Sequence, residues 1–361
     1  MSRLRIGVSV MPLENRREAL VGLAVDADRR GYDAFMLPET WAYDVTILLA
    51  EAAVKTQRIT LGSGILGVWS RSAATLAMAA RTLASVSGGR FLLGLGASTP
   101  QLAEGLHDVP FAAPIGRMRR TLTQVRALLR GDRIPLAVAK EARPLKLNLP
   151  AGPEVPIYLA ALGDDATRLA GELADGWMPF LYPRRLMAHG IERLREGAAR
   201  GGHPDRIPEI CVSVPTVVSA DPAKAREGAA WFVAYYLTAM GTFYRDSLIR
   251  QGFEREVKSV VAANTPKTLG VVPPDAEELL EQLIVYGTPE EARRRLARWH
   301  AAGAATAGLL LRPALPPEEL AFTLDAFGGM LMGGPEMAPQ TPQRSSRPGE
   351  AGGAPRHPGG E

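Results

Sequence analysis

The chain has 361 residues, of which 46% are hydrophobic and 22% charged, with a formal net charge of +4 and one cysteine. That length holds two domains or one large α/β barrel, and the apolar content supplies a large core. A charge this small, with no basic stripe interleaved with aromatics, argues against nucleic acid, and the absence of any run of about 18 apolar residues argues against a membrane span.

Cys211 lies inside an apolar run and can form no internal disulfide, so it is expected in the core of a cytoplasmic protein. The opening residues, MSRLRIGVSV, enter a short strand-like run without the longer apolar segment of a signal peptide. No Cys-His cluster stands at metal-ligand spacing, so no metal site is expected.

Residues 5–10 read as a first strand and 14–30 as a helix with apolar positions at Ala19, Leu20, Leu23, Ala24 and Ala27, ended by Gly31. A second strand, 33–37, leads through Pro38-Glu39-Thr40-Trp41 to a helix over about 44–55. Residues 58–98, RITLGSGILGVWSRSAATLAMAARTLASVSGGRFLLGLGAS, then give strand, loop, helix, turn and strand. Ser70 or Ser72 caps the helix, and Ser87-Gly88-Gly89 stops it. A connection of this length implies parallel strands with a right-handed crossover. The strand ends Gly62-Ser63-Gly64-Ile65 and Gly96-Ala97-Ser98 therefore open on one edge, where parallel α/β folds bind ligands.

A loop over 99–114 and a helix over 115–129 follow. Residues 132–155 read as an insertion with a short hairpin. Strands over 155–161, 176–181 and 209–219 alternate with helices over 164–173 and 184–200, and Pro222 opens a helix to about residue 240. A second insertion, alternating helical pieces with Pro and Gly, spans 241–286. Thr288-Pro289-Glu290-Glu291 starts another helix, with a strand at 307–311 and a last helix at 316–327. Eight strand-helix alternations predict a closed (β/α)8 TIM barrel over 1–332, followed by a disordered Pro, Gly, Gln, Ser and Arg tail over 333–361.

Glu39-Thr40-Trp41, RITLGSGI, LASVSGGRFLLGLGAS and VPIYLAALGDDATRLAGELADGW, in this order and spacing, resemble the bacterial-luciferase-like superfamily of flavin and deazaflavin oxidoreductases over roughly residues 1–330. The segment ASTPQLAEGLHDVPFAAPIGRMRRTL is most similar to its coenzyme F420-dependent branch, which includes the methylenetetrahydromethanopterin reductases.

The resemblance implies a cofactor lying across the C-terminal strand ends, against a non-proline cis peptide after the third strand. The matching bond is Gly64–Ile65, beside Ser63. Gly96, Ala97 and Ser98 match the position beside the pyrimidine end of the ring. Ala160, Ala161, Leu162, Gly163 and Asp164 match the ring-to-phosphate chain, where helix N-terminal amides receive phosphate. There the backbone carries the match, because Asp164 and Asp165 also suit a helix cap.

On the catalytic side the resemblance implicates Glu39, Thr40, Trp41 and His107. Thr40 departs from the family, which often has Asp-His where this chain has Glu39-Thr40, and a threonine is no acid or base near neutral pH. Its plain alternative is to cap the next helix, with Glu39 solvated. Trp41 and Tyr43 wall the pocket or simply pack, and Arg71 meets an anionic group or a neighbouring carboxylate.

The leading function is hydride transfer between F420 and a small organic substrate in a homodimer. One alternative is an FMN-dependent monooxygenase of the same superfamily. Another is a non-catalytic barrel, which bulky side chains above Gly64, Gly96 and Gly163 would favour. A Rossmann fingerprint fails, since Gly94-Leu95-Gly96 lacks the third glycine and an immediate helix.

Overall fold

The short runs of Val, Ile, Leu and Phe that alternate with Ala-rich helices become parallel strands buried on both faces, as expected where helices cover the outside of a barrel. The computed structural model describes residues 4–331. Its strands are β1 (Arg5–Val10), β2 (Ala34–Leu37), β3 (Thr60–Ser63), β4 (Leu66–Gly67), β5 (Phe91–Gly96), β6 (Ile157–Leu159), β7 (Gly176–Trp177), β8 (Glu209–Val218), β9 (Val285–Gly287) and β10 (Thr306–Leu311).

β10 pairs with β1 from Arg5↔Thr306 to Val10↔Leu311 and with β8 from Thr306↔Cys211 to Leu310↔Pro215, which closes the barrel. The closed ring runs β1, β2, β3, β5, β6, β7, β8 and β10, the eight strands expected from sequence. β4 and β9 are additions at the C-terminal end: β4 pairs with the end of β5, and β9 with the end of β8. At two and three residues they are too short to carry a periodic signal.

Local chemistry sets the element ends. Ser72 is the cap of the helix Ala73–Val86, its side chain accepting from Thr75 N. Gly31 takes φ +85° after the helix Arg17–Arg30, a conformation that costs glycine little. Thr288 and Glu291 form a reciprocal capping box. Asp28 accepts from the backbone N–H groups of Gln57, Arg58 and Ile59, anchoring the turn that feeds β3.

Several boundaries move. The first helix begins at Arg17 rather than 14, because the Glu14 carboxylate is turned to Arg16 and to the N–H of Ala314. Residues 99–114 contain a helix, Pro100–Gly105. Residues 132–155 form no strand; Ile134 N donates to Leu145 O at 2.8 Å, and that bond folds the segment back without building a hairpin ladder.

The second insertion is a packed helical layer. Phe243–Arg250, Glu254–Ala263 and Glu277–Leu283 cover the helix Pro222–Thr238, burying Phe232, Leu248, Phe253, Val257 and Leu280 in a cluster separate from the main core. The tail expected over 333–361 lies outside the described residues.

Candidate functional site

Because every ladder is parallel, the ends of β2, β3, β5 and β6 emerge at one end of the barrel. The Gly64–Ile65 peptide bond after β3 is cis. Gly64 N donates to Leu37 O at 2.9 Å and Ile65 O accepts from Glu39 N at 3.3 Å, so the turn is tied to the exit of β2.

Small residues let the rims approach. A Cβ on Gly96 would stand 3.2 Å from the Cβ of Ala160 and 3.2 Å from Cδ1 of Ile65. Ala160 N donates to Leu95 O at 2.8 Å, and Ala97 O accepts from Trp69 Nε1 at 2.7 Å. Ser98 follows at φ +58°. Ser63 is fully buried, and its hydroxyl donates to Gly94 O and accepts from Gly94 N, fastening β3 to β5. Gly64, Ile65, Ala97, Ser98, Ala160 and Leu162 keep partial exposure. They form an accessible floor of small groups.

Beside that floor the helix Asp164–Leu173 presents its N-terminus. Gly163 is the cap, without a side-chain bond, and no atom lies within 4 Å of a Cβ built there. First-turn amides have no partner inside a helix, so this corner offers N–H donors in open space. Asp164 is not the cap. Its carboxylate lies 2.8 Å from His189 Nε2, with Arg168 and Arg193 at 3.7 and 3.9 Å, which offsets its charge beside those amides. Ala161 O accepts from Trp177 Nε1.

Glu39, Thr40, Ser98 and His107 come together around one small cleft, with Gly67, Trp69, Ser70, Leu102 and Ala103 completing its wall. Of these last, Ser70 stood out in the sequence only as a candidate helix cap; the signal of the others was closeness in the chain to Ile65 or to His107. Glu39 is not solvated. Both its oxygens are held by Arg71, which also reaches Asp44 at 2.9 Å, and the Glu39 hydrogen bond is the main cause that raises Arg71 above the usual guanidinium range.

Nor does Thr40 cap the following helix. Asp44 does so by accepting from Thr46 N, leaving the Thr40 hydroxyl buried and without a partner. Trp41 is 50% exposed and stands outside the lining of the cleft. Tyr43 donates to Asn15 O at 3.1 Å and faces a neighbouring cavity that Thr40 shares. His107 is exposed on the segment after Pro100–Gly105. Among the described residues no group of three metal-ligating side chains converges.

The chain is 33% identical over 318 residues to a Mycobacterium tuberculosis protein provisionally named a coenzyme F420-dependent oxidoreductase, covering 81% of this chain and 89% of that relative. It is 24% identical over 277 residues to the 5,10-methylenetetrahydromethanopterin reductase of Methanolobus tindarius, covering 75% and 83%. Its fold is shared with the coenzyme F420-dependent tetrahydromethanopterin reductase of Methanopyrus kandleri at a TM-score of 0.72 and 17% identity, over 91% of this chain and 98% of that one. Residues 3–306 match the model of the luciferase-like monooxygenases, and the chain belongs to that family.

Proposed function

We propose that this protein is an F420-dependent oxidoreductase that passes a hydride between the deazaflavin and a small organic substrate. The observation that carries the reading is the floor of Gly64, Ile65, Gly96 and Ala160 at one barrel end, next to the uncovered amides at Gly163. A planar ring fits against such a floor, and a phosphate chain fits the amide corner.

When bound, the cofactor supplies the two-electron reactivity. The chain's part is positional: Gly64, Ile65, Gly96, Ala97 and Ser98 hold one face of the ring, with buried Ser63 fastening the strand beneath them, and Ala160, Ala161, Leu162, Gly163 and Asp164 border the phosphate chain. With Trp41 outside their cleft, Glu39, Thr40 and His107 stand on the substrate side. There the Thr40 hydroxyl is free to donate or accept, and His107 can hold or move a proton. The name of the Mycobacterium tuberculosis relative supports F420 over FMN.

A second reading, an FMN-dependent monooxygenase, is favoured by the name of the family itself. Titrating the protein with F420 and, separately, with FMN while following fluorescence tests the choice. Saturable quenching of F420 at concentrations where FMN stays free is expected; tighter FMN binding overturns the assignment, and binding of neither supports a non-catalytic barrel.

The same proposal includes a homodimer and a cytoplasmic location. The dimer is supported by the outward apolar residues Ile47, Val54 and Met78, which are 68%, 71% and 53% exposed on neighbouring helices. Location rests on the lone, buried Cys211. No helix among the described residues is long and apolar enough to cross a membrane.

A further inference from the structure

The helical insertion carries a second set of groups to the mouth of the barrel. Phe180 follows β7 and bridges to Ser213 of β8, at the same end as the small-residue floor. Its ring lies 5.1 Å from Tyr236 and 5.4 Å from Tyr244, and the two tyrosine rings stand 5.4 Å apart, all edge to face. The turn between their helices crosses toward the other side of the mouth. A Cβ on Gly241 would stand 2.5 Å from Nε2 of Gln101, in the helix that precedes His107. The turn that joins the two tyrosine-bearing helices thus packs against the helix that leads to His107.

Tyr236 is 3% exposed, and Phe180 and Tyr244 are half-buried. Among the described residues neither phenol hydroxyl makes a hydrogen bond. Neither is a sealed polar atom, so each hydroxyl reaches solvent from an otherwise apolar wall and is available to donate to a ligand acceptor. Burial pushes the Tyr244 phenol up to about 12 and Tyr236 well above the ordinary phenol range, so both remain donors at neutral pH. Among the described residues, Arg16 pairs with Glu14, Arg71 with Glu39 and Arg312 with Glu319, while Arg184, four residues after Phe180, donates to the backbone oxygen of Glu281. That environment suits an uncharged ligand with a flat apolar body and one good acceptor.

We propose that Phe180, Tyr236 and Tyr244 form the substrate wall and select a planar, uncharged carbonyl compound of the enone or quinone class, whose oxygen accepts from a tyrosine hydroxyl. This rests on the hydride-transfer reading above and adds the substrate class to it. A phosphorylated sugar or another anionic substrate meets, among the described residues beside this wall, cations that already have partners: Arg245 with Asp246 and Arg184 with Glu281 O.

The test uses Y236F, Y244F and the double variant, which keep the rings and remove only the hydroxyls. Calorimetric titration with 1,4-naphthoquinone and with 2-cyclohexen-1-one, without cofactor, measures binding; turnover with reduced F420 gives KM and kcat separately. Each single variant is expected to weaken probe binding and raise KM by roughly five- to twentyfold, with kcat changed less and the urea midpoint and F420 quenching as in wild type. Glucose 6-phosphate is expected not to bind. Wild-type probe binding by the double variant, failure of both carbonyl probes to bind, or tighter binding of glucose 6-phosphate would each overturn the assignment. Failure of the F420 reading is distinguishable, because F420 would then go unquenched while the loss of quinone binding in the variants persisted.

Discussion

Arg71 meets Glu39 edge to edge, Nη1 bonding Oε2 and Nη2 lying 2.7 Å from Oε1, with only 13% and 10% of the two side chains exposed. The pair joins the segment after β2 to the segment after β4. Glu39 Oε1 also accepts from Val45 N at 3.3 Å, extending the tie to the first turn of the next helix. Thr40 is adjacent to the joint and Ser70 forms its other side, so the cleft owes its shape to a contact between residues 32 positions apart.

Replacing one partner alone leaves a nearly buried charge unmatched. R71M is therefore expected to cost about 3 kcal/mol, and R71M/E39Q to recover much of that, because a neutral pair avoids the desolvation of both ions. Urea unfolding of the two variants and the wild type checks it. Equal stability of the single and double variants would mean that water already screens the site.

Thr40 makes the opposite case. Its hydroxyl is buried without a partner, so T40V removes an unsatisfied group while keeping the shape. Stability should stay level or rise by about 1 kcal/mol. If the hydroxyl serves a bound molecule, kcat/KM falls about tenfold in the same variant; unchanged kinetics would assign Thr40 to packing alone.

The central βαβ unit is legible because its signals are local: Ser72 sits next to the helix it caps, and Gly88 and Gly89 take positive φ where that helix stops. Parallel pairing then follows from connection length, and with it the shared rim. What the chain order hides is which distant side chains meet. Nothing near Glu39 announces Arg71, and a solvated carboxylate is the natural local expectation. The 241–286 segment is legible as helical pieces, which it forms, but not in what they pack against. Its Pro and Gly residues mark only the joints, while Leu248, Phe253 and Leu280 become ordered by burial against the helix Pro222–Thr238, a tertiary effect that outweighs local propensity.

Gly96 separates a role in the site from a role in the fold. The added methyls of G96V would press on Ile65 and Ala160, which a Cβ already reaches at 3.2 Å. Ile65 is partly exposed and has room to move, so F420 affinity should drop at least about tenfold for a stability loss of about 1 kcal/mol. G94A is the contrast, since its Cβ would stand 2.0 Å from the backbone oxygen of Ser63. That variant should lose several kcal/mol or fail to fold. Fluorescence titration and thermal melts of both variants check the split.

Acid sensitivity should trace in part to Glu14. The hydrogen bond from Arg16 is the main cause that holds its carboxyl down to about 2, from an ordinary value of 4.5. A depressed folded-state pKa stabilises above the unfolded-state value and loses that contribution as pH falls toward the folded one, so the window runs from about pH 4.5 to 2. E14Q should be about 2 kcal/mol less stable at pH 7, with a smaller further loss across that window than wild type. Urea midpoints measured at pH 7, 4.5 and 3 decide it; parallel curves for the two proteins would exclude Glu14 as the source.

Cys211 gives a readout of the barrel interior. It lies among Met36, Leu92, Tyr158 and Met178, and burial pushes its thiol up to about 12. Reactivity needs both thiolate and access, and the folded chain offers neither at neutral pH. A thiol-specific disulfide reagent should leave native protein unmodified and titrate one equivalent in denaturant, because the sequence holds one cysteine. At low denaturant, with reagent limiting, labelling should follow the population of open molecules rather than reagent access. Fast stoichiometric labelling of native protein would mean that the barrel opens around β8 without unfolding, and that the interior cluster does not seal it.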